Sequence, residues 1–322
     1  MDGDLQIERK TENAMTLTGT VAIVTGSGQG LGLAYARELA AQGASVVIND
    51  VSQETADAAV KQITDAGGTA SAVVAPVGST ETAKALVDHA YETYGRLDSL
   101  VTNAGILRDR TLWKMTDEDF DAVINVHLRG TFTCVREAAT RWREAGTQGH
   151  IVCIGSPTGQ RGNFGQTNYA AAKSGIVGMV RTWALELKKA GITVNAVIPV
   201  AATAMTKTVP FFQKAVEADE RGEAMPEFFR KELGFGTADD VAGTIAFLAS
   251  DAANGITGQV VGVGGDRLQL WSHPEAVTTV YREGGWSYDD LASGFSDAVG
   301  ELQTVGEKFP QLPDELAPEP RS

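Results

Sequence analysis

The chain predicts a doubly wound α/β fold, a seven-stranded parallel sheet with helices on both faces. Apolar runs of strand length alternate with segments of helical period along most of the sequence. The runs are apolar throughout rather than at every second residue, as strands sandwiched between two helical layers must be. A glycine-rich stretch follows the first run, where a parallel sheet of this kind turns from strand into helix.

The strands are expected at Val21–Thr25, Ser45–Asn49, Thr69–Val74, Ser99–Thr102, Ile151–Ile154, Thr193–Ile198 and Gln259–Val263. The helices between them rest on caps as well as period. Gly43 stands where the first helix should stop, and Thr116 precedes Asp119, as Thr237 precedes Asp240, in a capping-box-like spacing. Strict alternation of strand and helix implies right-handed crossovers, which is the Rossmann architecture. Residues 1–16 read as an N-terminal arm and 17–268 as the nucleotide-binding catalytic domain. Within the domain, residues 204–236 interrupt the last crossover with Phe211, Phe212, Phe228 and Phe229 among charges, a helical insertion placed to act as a substrate lid. Residues 269–322 form a C-terminal extension. Leu291, Phe295, Val299 and Leu302 recur in it at helical spacing and predict a docked helix, and an end carrying Pro310, Pro313, Pro318 and Pro320 is expected to be disordered.

The chain has 322 residues, 43% of them hydrophobic and 21% charged, and no apolar run approaches the length that spans a bilayer. The opening residues carry neither a secretory signal nor an Arg-rich transit pattern, so a cytoplasmic location is expected. Two cysteines, Cys134 and Cys153, and four histidines show no metal-ligand spacing, and no metal is expected. A net charge of −14 disfavours nucleic acid as a partner, because phosphate binding needs clustered Lys and Arg.

Thr25 is followed by Gly26-Ser27-Gly28-Gln29-Gly30-Leu31-Gly32, opening a helix of small residues. Residues without side chains let the backbone approach a pyrophosphate, whose charge the exposed N–H groups and the positive helix end stabilise. The second strand runs into Asp50 and Val51. Asp50 lies twenty-four residues beyond Gly26, near the spacing of an acid that accepts hydrogen bonds from an adenosine ribose. A carboxylate there repels a 2′-phosphate, so the expected cofactor is NAD rather than NADP. Asp50 also stands where it could cap the next helix alongside Ser52.

Tyr169 and Lys173 are four apart and share one helix face. A free phenol has a pKa of about 10, and a neighbouring ammonium stabilises its phenolate enough for proton exchange with substrate. Alone, that spacing describes many surface helices. Beside it, Ser156 follows the fifth strand, Asn103-Ala104-Gly105 follow the fourth, and Asn125 lies in the helix after that. In order and spacing this set resembles the motifs of the short-chain dehydrogenase/reductase family, over roughly Leu17 to Gly265. The resemblance implies an oxidoreductase that moves a hydride between nicotinamide and a secondary alcohol or its ketone. It implies Tyr169 as general acid/base, Lys173 lowering its pKa and holding the nicotinamide ribose, Ser156 orienting the substrate oxygen, and Asn125 supporting Lys173 through water. It makes Asn103, Ala104 and Gly105 line the cofactor, with further cofactor contacts at Val77, Pro199, Ala202 and Thr203. His127 and Cys153 read as packing residues. The family also implies a symmetric homodimer or homotetramer, the helices of Asn125 and Tyr169 packing across the twofold axes.

Two departures from the family pattern are present: Pro76 ahead of Val77 where an Asp is usual, and Pro199-Val200-Ala201-Ala202 where Pro-Gly is usual. The second, with Gly105–Arg110, Val126–Gly130 and Gly162–Gln166, is similar to the dehydrogenase part of peroxisomal multifunctional β-oxidation enzymes, which act on (3R)-hydroxyacyl-CoA. The C-terminal extension resembles actinobacterial relatives assigned to steroid side-chain β-oxidation and 17β-hydroxysteroid oxidation. A CoA ester needs a local basic mouth, for which Arg108, Arg110, Lys207 and Lys214 are the candidates. Arg108, Asp109 and Arg110 also read as an ordinary solvated charge cluster.

Overall fold

The computed structural model describes residues 16–202, 210–306 and 309–316. Its centre is a sheet of strands β1 (Val21–Val24), β2 (Ser45–Asp50), β3 (Thr69–Val74), β4 (Ser99–Thr102), β5 (His150–Ile154), β6 (Thr193–Pro199), β7 (Val260–Gly264) and β8 (Arg267–Leu270). The spatial order is β3-β2-β1-β4-β5-β6-β7-β8. The first seven strands are parallel, as the apolar runs predict. The sheet has an eighth member that the sequence reading passed over: β8 folds back antiparallel on β7, pairing Gly264 with Arg267 and Val261 with Leu270. Leu268 and Leu270 are largely exposed, so β8 lacks the continuous apolar burial that marks the other strands.

Successive residues of each strand feed opposite faces. Ala22 and Val24 of β1, with Val152 and Ile154 of β5, join the core under α1 (Gly30–Ala41), α2 (Gln53–Asp65) and a helix at Ala238–Leu248. Val21, Ile23, Ile151 and Cys153 join the other core, under α3 (Thr80–Tyr94) and two longer helices that follow β4 and β5. Between β4 and β5 lie α4 (Asp117–Val123), a π-helical turn at Ile124–Arg129 and α5 (Gly130–Ala145). After β5 come α6 (Pro157–Arg161) and α7 (Thr167–Glu186). The insertion supplies α8 (Gln213–Glu220) and α9 (Glu227–Lys231), the Ala238–Leu248 helix is α10, and the extension carries α11 (Tyr288–Val299).

The caps behave as read. Gly43 (φ 98°) lies just past α1. Thr116 accepts from the Asp119 amide, and Thr237 and Asp240 form a reciprocal box at α10. The insertion is helical as expected, but its aromatics are not loose. Phe212, Phe229 and Phe235 are buried in a third apolar cluster with Ala202 and Met225, at the carboxyl end of β6. The extension differs more. α11 forms with a Ser287–Asp290 box, and none of its residues is buried among the described residues. Conversely, the Pro-rich segment packs as far as Leu316: Leu312 and Leu316 lie on the insertion's cluster, and Phe309 meets Phe211. The N-terminal arm up to residue 15 and residues 317–322 lie outside the described residues.

Strand order reverses between β1 and β4, so the carboxyl ends of β1, β2, β4, β5 and β6 open on one crevice. That crevice is where open α/β sheets bind ligands.

Candidate active site

The turn after β1 is built around close backbone approaches. Gly26 has φ 61°, and a Cβ on it would lie 2.6 Å from the Ala104 Cα. A Cβ on Gly32 would lie 2.2 Å from the Gly26 oxygen. Only glycine fits at either place. Asn103 holds the turn in shape: its Nδ2 donates to the oxygens of Thr25 (3.0 Å) and Gly26 (2.9 Å), while the Thr25 hydroxyl accepts from the amides of Asn103 and Ala104. Asn103 therefore braces the turn from the next strand. Gln29 precedes α1 without a side-chain cap, and Gly30 and Leu31 open a first turn that carries no acidic residue. Helix N–H groups left in this state suit a pyrophosphate, so these residues fit a dinucleotide.

Asp50 ends β2 with its carboxylate turned to the same turn. Its Oδ2 accepts from the Gly28 amide (3.1 Å) and its Oδ1 from the Ser52 amide (3.1 Å). Ser52 itself caps α2 through the Thr55 amide, so Asp50 is not the cap. Its carboxylate is half-buried at the crevice edge, where a ribose hydroxyl could donate to it. Val51 beside it is exposed. Val77 is buried in the core that lies under α3 and α5. Pro199 ends β6, Ala202 is buried against the insertion's aromatics, and Thr203 and Lys207 lie outside the described residues.

Ser156, Tyr169 and Lys173 come together at the end of β5. Ser156 is the residue before α6 and accepts from the Thr158 amide, which fixes its hydroxyl. Tyr169 is in the first turn of α7, half-buried, and near enough to Ser156 for that side chain to act on its phenol. Lys173 is 3% exposed, with Nζ 5.6 Å from the Tyr169 ring centre and donating to the Ile154 oxygen at 2.7 Å. Burial pushes its amine down to about 7. Burial raises the Tyr169 phenol, the Ser156 side chain lowers it, and the Asp109 carboxylate raises it further.

Asn125 sits in the π-helical turn against Gly78 and lines a cavity of about 470 Å³ with Pro76–Thr82 and Arg129. The turn packs on α7. Such one-turn π segments recur at functional sites.

Two residues bind the site more closely than their types suggested. Asn168 is fully buried. Its Nδ2 donates to the oxygens of Arg108 and Asp119 (3.0 Å each), and its Oδ1 accepts from the Tyr169 amide (2.7 Å). It ties the start of α7 to the loop after β4 and to α4, and a polar residue next to Tyr169 was the only signal of this in the sequence. His127, read as packing, is buried as expected, but its ring stands edge-on to Tyr169 at 5.2 Å. Its Nε2 lies 3.0 Å from the nitrogen and 2.8 Å from the oxygen of Ile106, just after Asn103-Ala104-Gly105. Burial and the Lys173 charge push it down to about 3, which keeps the ring neutral. Cys153, fully buried, has its thiol pushed up to about 12 by burial and is unreactive packing. Arg108 and Arg110 are exposed beside the site, while Asp109 accepts from Gln166 at 2.9 Å. Lys214 is half-buried on α8.

No helix among the described residues is long and apolar enough to cross a membrane. A family model described as enoyl-(acyl carrier protein) reductase matches residues 26–265. The chain is 42% identical over 253 residues to the 3-oxoacyl-(acyl-carrier-protein) reductase FabG of Thermotoga maritima, covering 78% of this chain and 98% of the relative. It is 38% identical over 301 residues to the hydroxyacyl-CoA dehydrogenase ChsB1 of Mycobacterium tuberculosis, covering 89% of this chain and 91% of the relative. A solved short chain dehydrogenase from Mycobacterium avium superposes with a TM-score of 0.77 at 34% identity, over 90% of this chain and 98% of that one. The chain belongs to the short-chain dehydrogenase/reductase family and is an NAD(P)-dependent oxidoreductase acting on alcohol and ketone substrates.

Proposed function

We propose that the protein is an NAD-dependent (3R)-3-hydroxyacyl-CoA dehydrogenase of fatty-acid or steroid side-chain β-oxidation. The observation that carries the chemistry is the meeting of Tyr169, Ser156 and the Lys173 amine at the end of β5, with the Lys173 Nζ 5.6 Å from the Tyr169 ring centre. Tyr169 takes the hydroxyl proton as the alcohol is oxidised and returns it as the ketone is reduced. Ser156 holds the substrate oxygen, its own hydroxyl fixed by the Thr158 amide. Lys173, anchored on Ile154, presents a buried amine to the cofactor ribose beside Tyr169. Asn125 and Asn103 act as positioning residues, the first in the π turn against α7 and the second as the brace of the glycine turn. The bound nicotinamide supplies the hydride acceptor or donor.

The Asp50 carboxylate supports NAD over NADP: a 2′-phosphate beside it would meet a like charge at the crevice edge. The thioester substrate is supported by relatives named for 3-oxoacyl and hydroxyacyl thioesters. Arg108 and Arg110, exposed beside the site, support a substrate with phosphates, as a CoA ester has. A free alcohol such as a 17β-hydroxysteroid is the second reading, favoured by the Phe212, Phe229 and Phe235 cluster at the end of β6. Phe132 on α5 and Leu185 on α7 are exposed apolar side chains and support a symmetric oligomer packed through those helices.

Assayed with NAD, the protein is expected to oxidise a (3R)-3-hydroxyacyl-CoA with a higher kcat/KM than a 17β-hydroxysteroid; failure on every 3-hydroxyacyl-CoA removes the first reading. Asp50→Ala is expected to move the NAD-to-NADP preference by about tenfold or more toward NADP. An unchanged ratio would mean that another residue sets it. Because the Ser156 side chain lowers the Tyr169 phenol and is fixed to meet the substrate oxygen, Ser156→Ala should cut kcat by about a hundredfold. It should also displace the rising limb of the oxidation rate to higher pH, since oxidation needs the phenolate. A limb that stayed in place or moved down would contradict the coupling.

A further inference from the structure

We infer that the returning C-terminal tail, through Phe309, is a specificity-determining wall of the substrate site; this rests on the reading of Ser156 and Tyr169 as the reacting centre. β5 and β6 are neighbours in the sheet, so the segments leaving their carboxyl ends face one another. The first is α6, which starts directly after Ser156. The second leads through Ala202 to the aromatic insertion. The extension touches both. Trp271, just after β8, packs under Arg161 of α6, whose guanidinium carbon lies 4.9 Å from the ring centre. After α11 the chain comes back, and the Gly306 amide donates to the Arg161 oxygen at 2.8 Å.

Phe309 then enters the insertion's aromatic cluster. Its ring centre is 4.8 Å from that of Phe211 and 5.7 Å from that of Phe212, the latter edge-on. Phe212 in turn stacks on Phe235 at 4.3 Å. Leu312 and Leu316 pack on the same cluster. The tail thus bridges the α6 side of the crevice and the insertion side, in a stretch beyond residues 26–265, where the family model ends. α8 and α9 are short helices that pack on this cluster through Ala215, Val216, Ala218 and Phe229, so what holds Phe211 and Phe212 bears on their position. A substrate whose acyl body is small enough to stay beside Ser156 does not reach this wall. A long or polycyclic body does, and the wall's position then sets its binding.

Phe309→Ala tests this in the full chain, with Phe309→Leu as the variant that keeps an apolar contact. Reduction of acetoacetyl-CoA and 3-oxohexadecanoyl-CoA by NADH is compared. The expected result is a KM about tenfold higher for the long substrate in Phe309→Ala, from the loss of aromatic contacts, with acetoacetyl-CoA within about twofold and Phe309→Leu largely restored. Equal loss on both substrates, or no loss on either, overturns the inference. Should the unmodified protein reduce no acyl thioester, the substrate reading fails by itself, and the same comparison is made with a small cyclic ketone and a 17-ketosteroid. Amide exchange is measured alongside and needs no turnover. It should quicken in Gln213–Glu220 and Glu227–Lys231 of Phe309→Ala, and unchanged exchange there overturns the inference whichever substrate is used.

Discussion

The bond from the Lys173 amine to the Ile154 carbonyl is the constraint on which the site depends. It joins α7 to the last residue of β5, and so sets where Tyr169 hangs over the crevice. An amine this deep is costly to keep charged, and its pKa falls to about 7. The carbonyl accepts its hydrogen bond at a strand end, where no further ladder partner follows. Asn168 acts five residues earlier, at the start of the same helix, holding the Tyr169 amide, a loop oxygen at Arg108 and an α4 oxygen at Asp119 from a fully buried position. Between them these two residues leave α7 little freedom to slide.

A second brace fixes the cofactor side. Asn103 reaches from the end of β4 to the oxygens of Thr25 and Gly26, and the Ala104 backbone closes on Gly26. The glycine turn, the acid at the end of β2 and the Ser156–Tyr169 pair therefore belong to adjacent strand ends of one rigid sheet. His127 links the two halves, with one ring nitrogen at the Ile106 backbone and the ring edge on Tyr169. Its neutrality matters here, because a charged imidazole beside Lys173 would add a second buried cation.

Much of this was legible in the residues. Period and apolar runs located seven strands, since a buried parallel strand has no polar face to blur the pattern, and the cap residues marked helix ends. The glycine turn, Asp50, Ser156, Tyr169 and Lys173 were legible because their chemistry limits residue type. β8 was not, because an edge strand with Leu268 and Leu270 exposed carries no burial signature. Asn168, and the link from His127 to Ile106, were illegible because their partners are backbone atoms, which any sequence supplies. In the extension the helical spacing of Leu291 and Phe295 was real but said nothing about docking. The prolines near the end suggested disorder, while Phe309, Leu312 and Leu316 between them were the residues that pack.

The account's central claim is that the Tyr169 hydroxyl exchanges the proton beside a dinucleotide held by the glycine turn. It is tested most directly by measuring turnover and NADH affinity together in Tyr169→Phe, which removes one oxygen and leaves the ring against His127. Turnover is expected to drop by about a hundredfold or more while the Kd for NADH stays within about twofold. Turnover close to that of the unmodified protein would contradict the assignment.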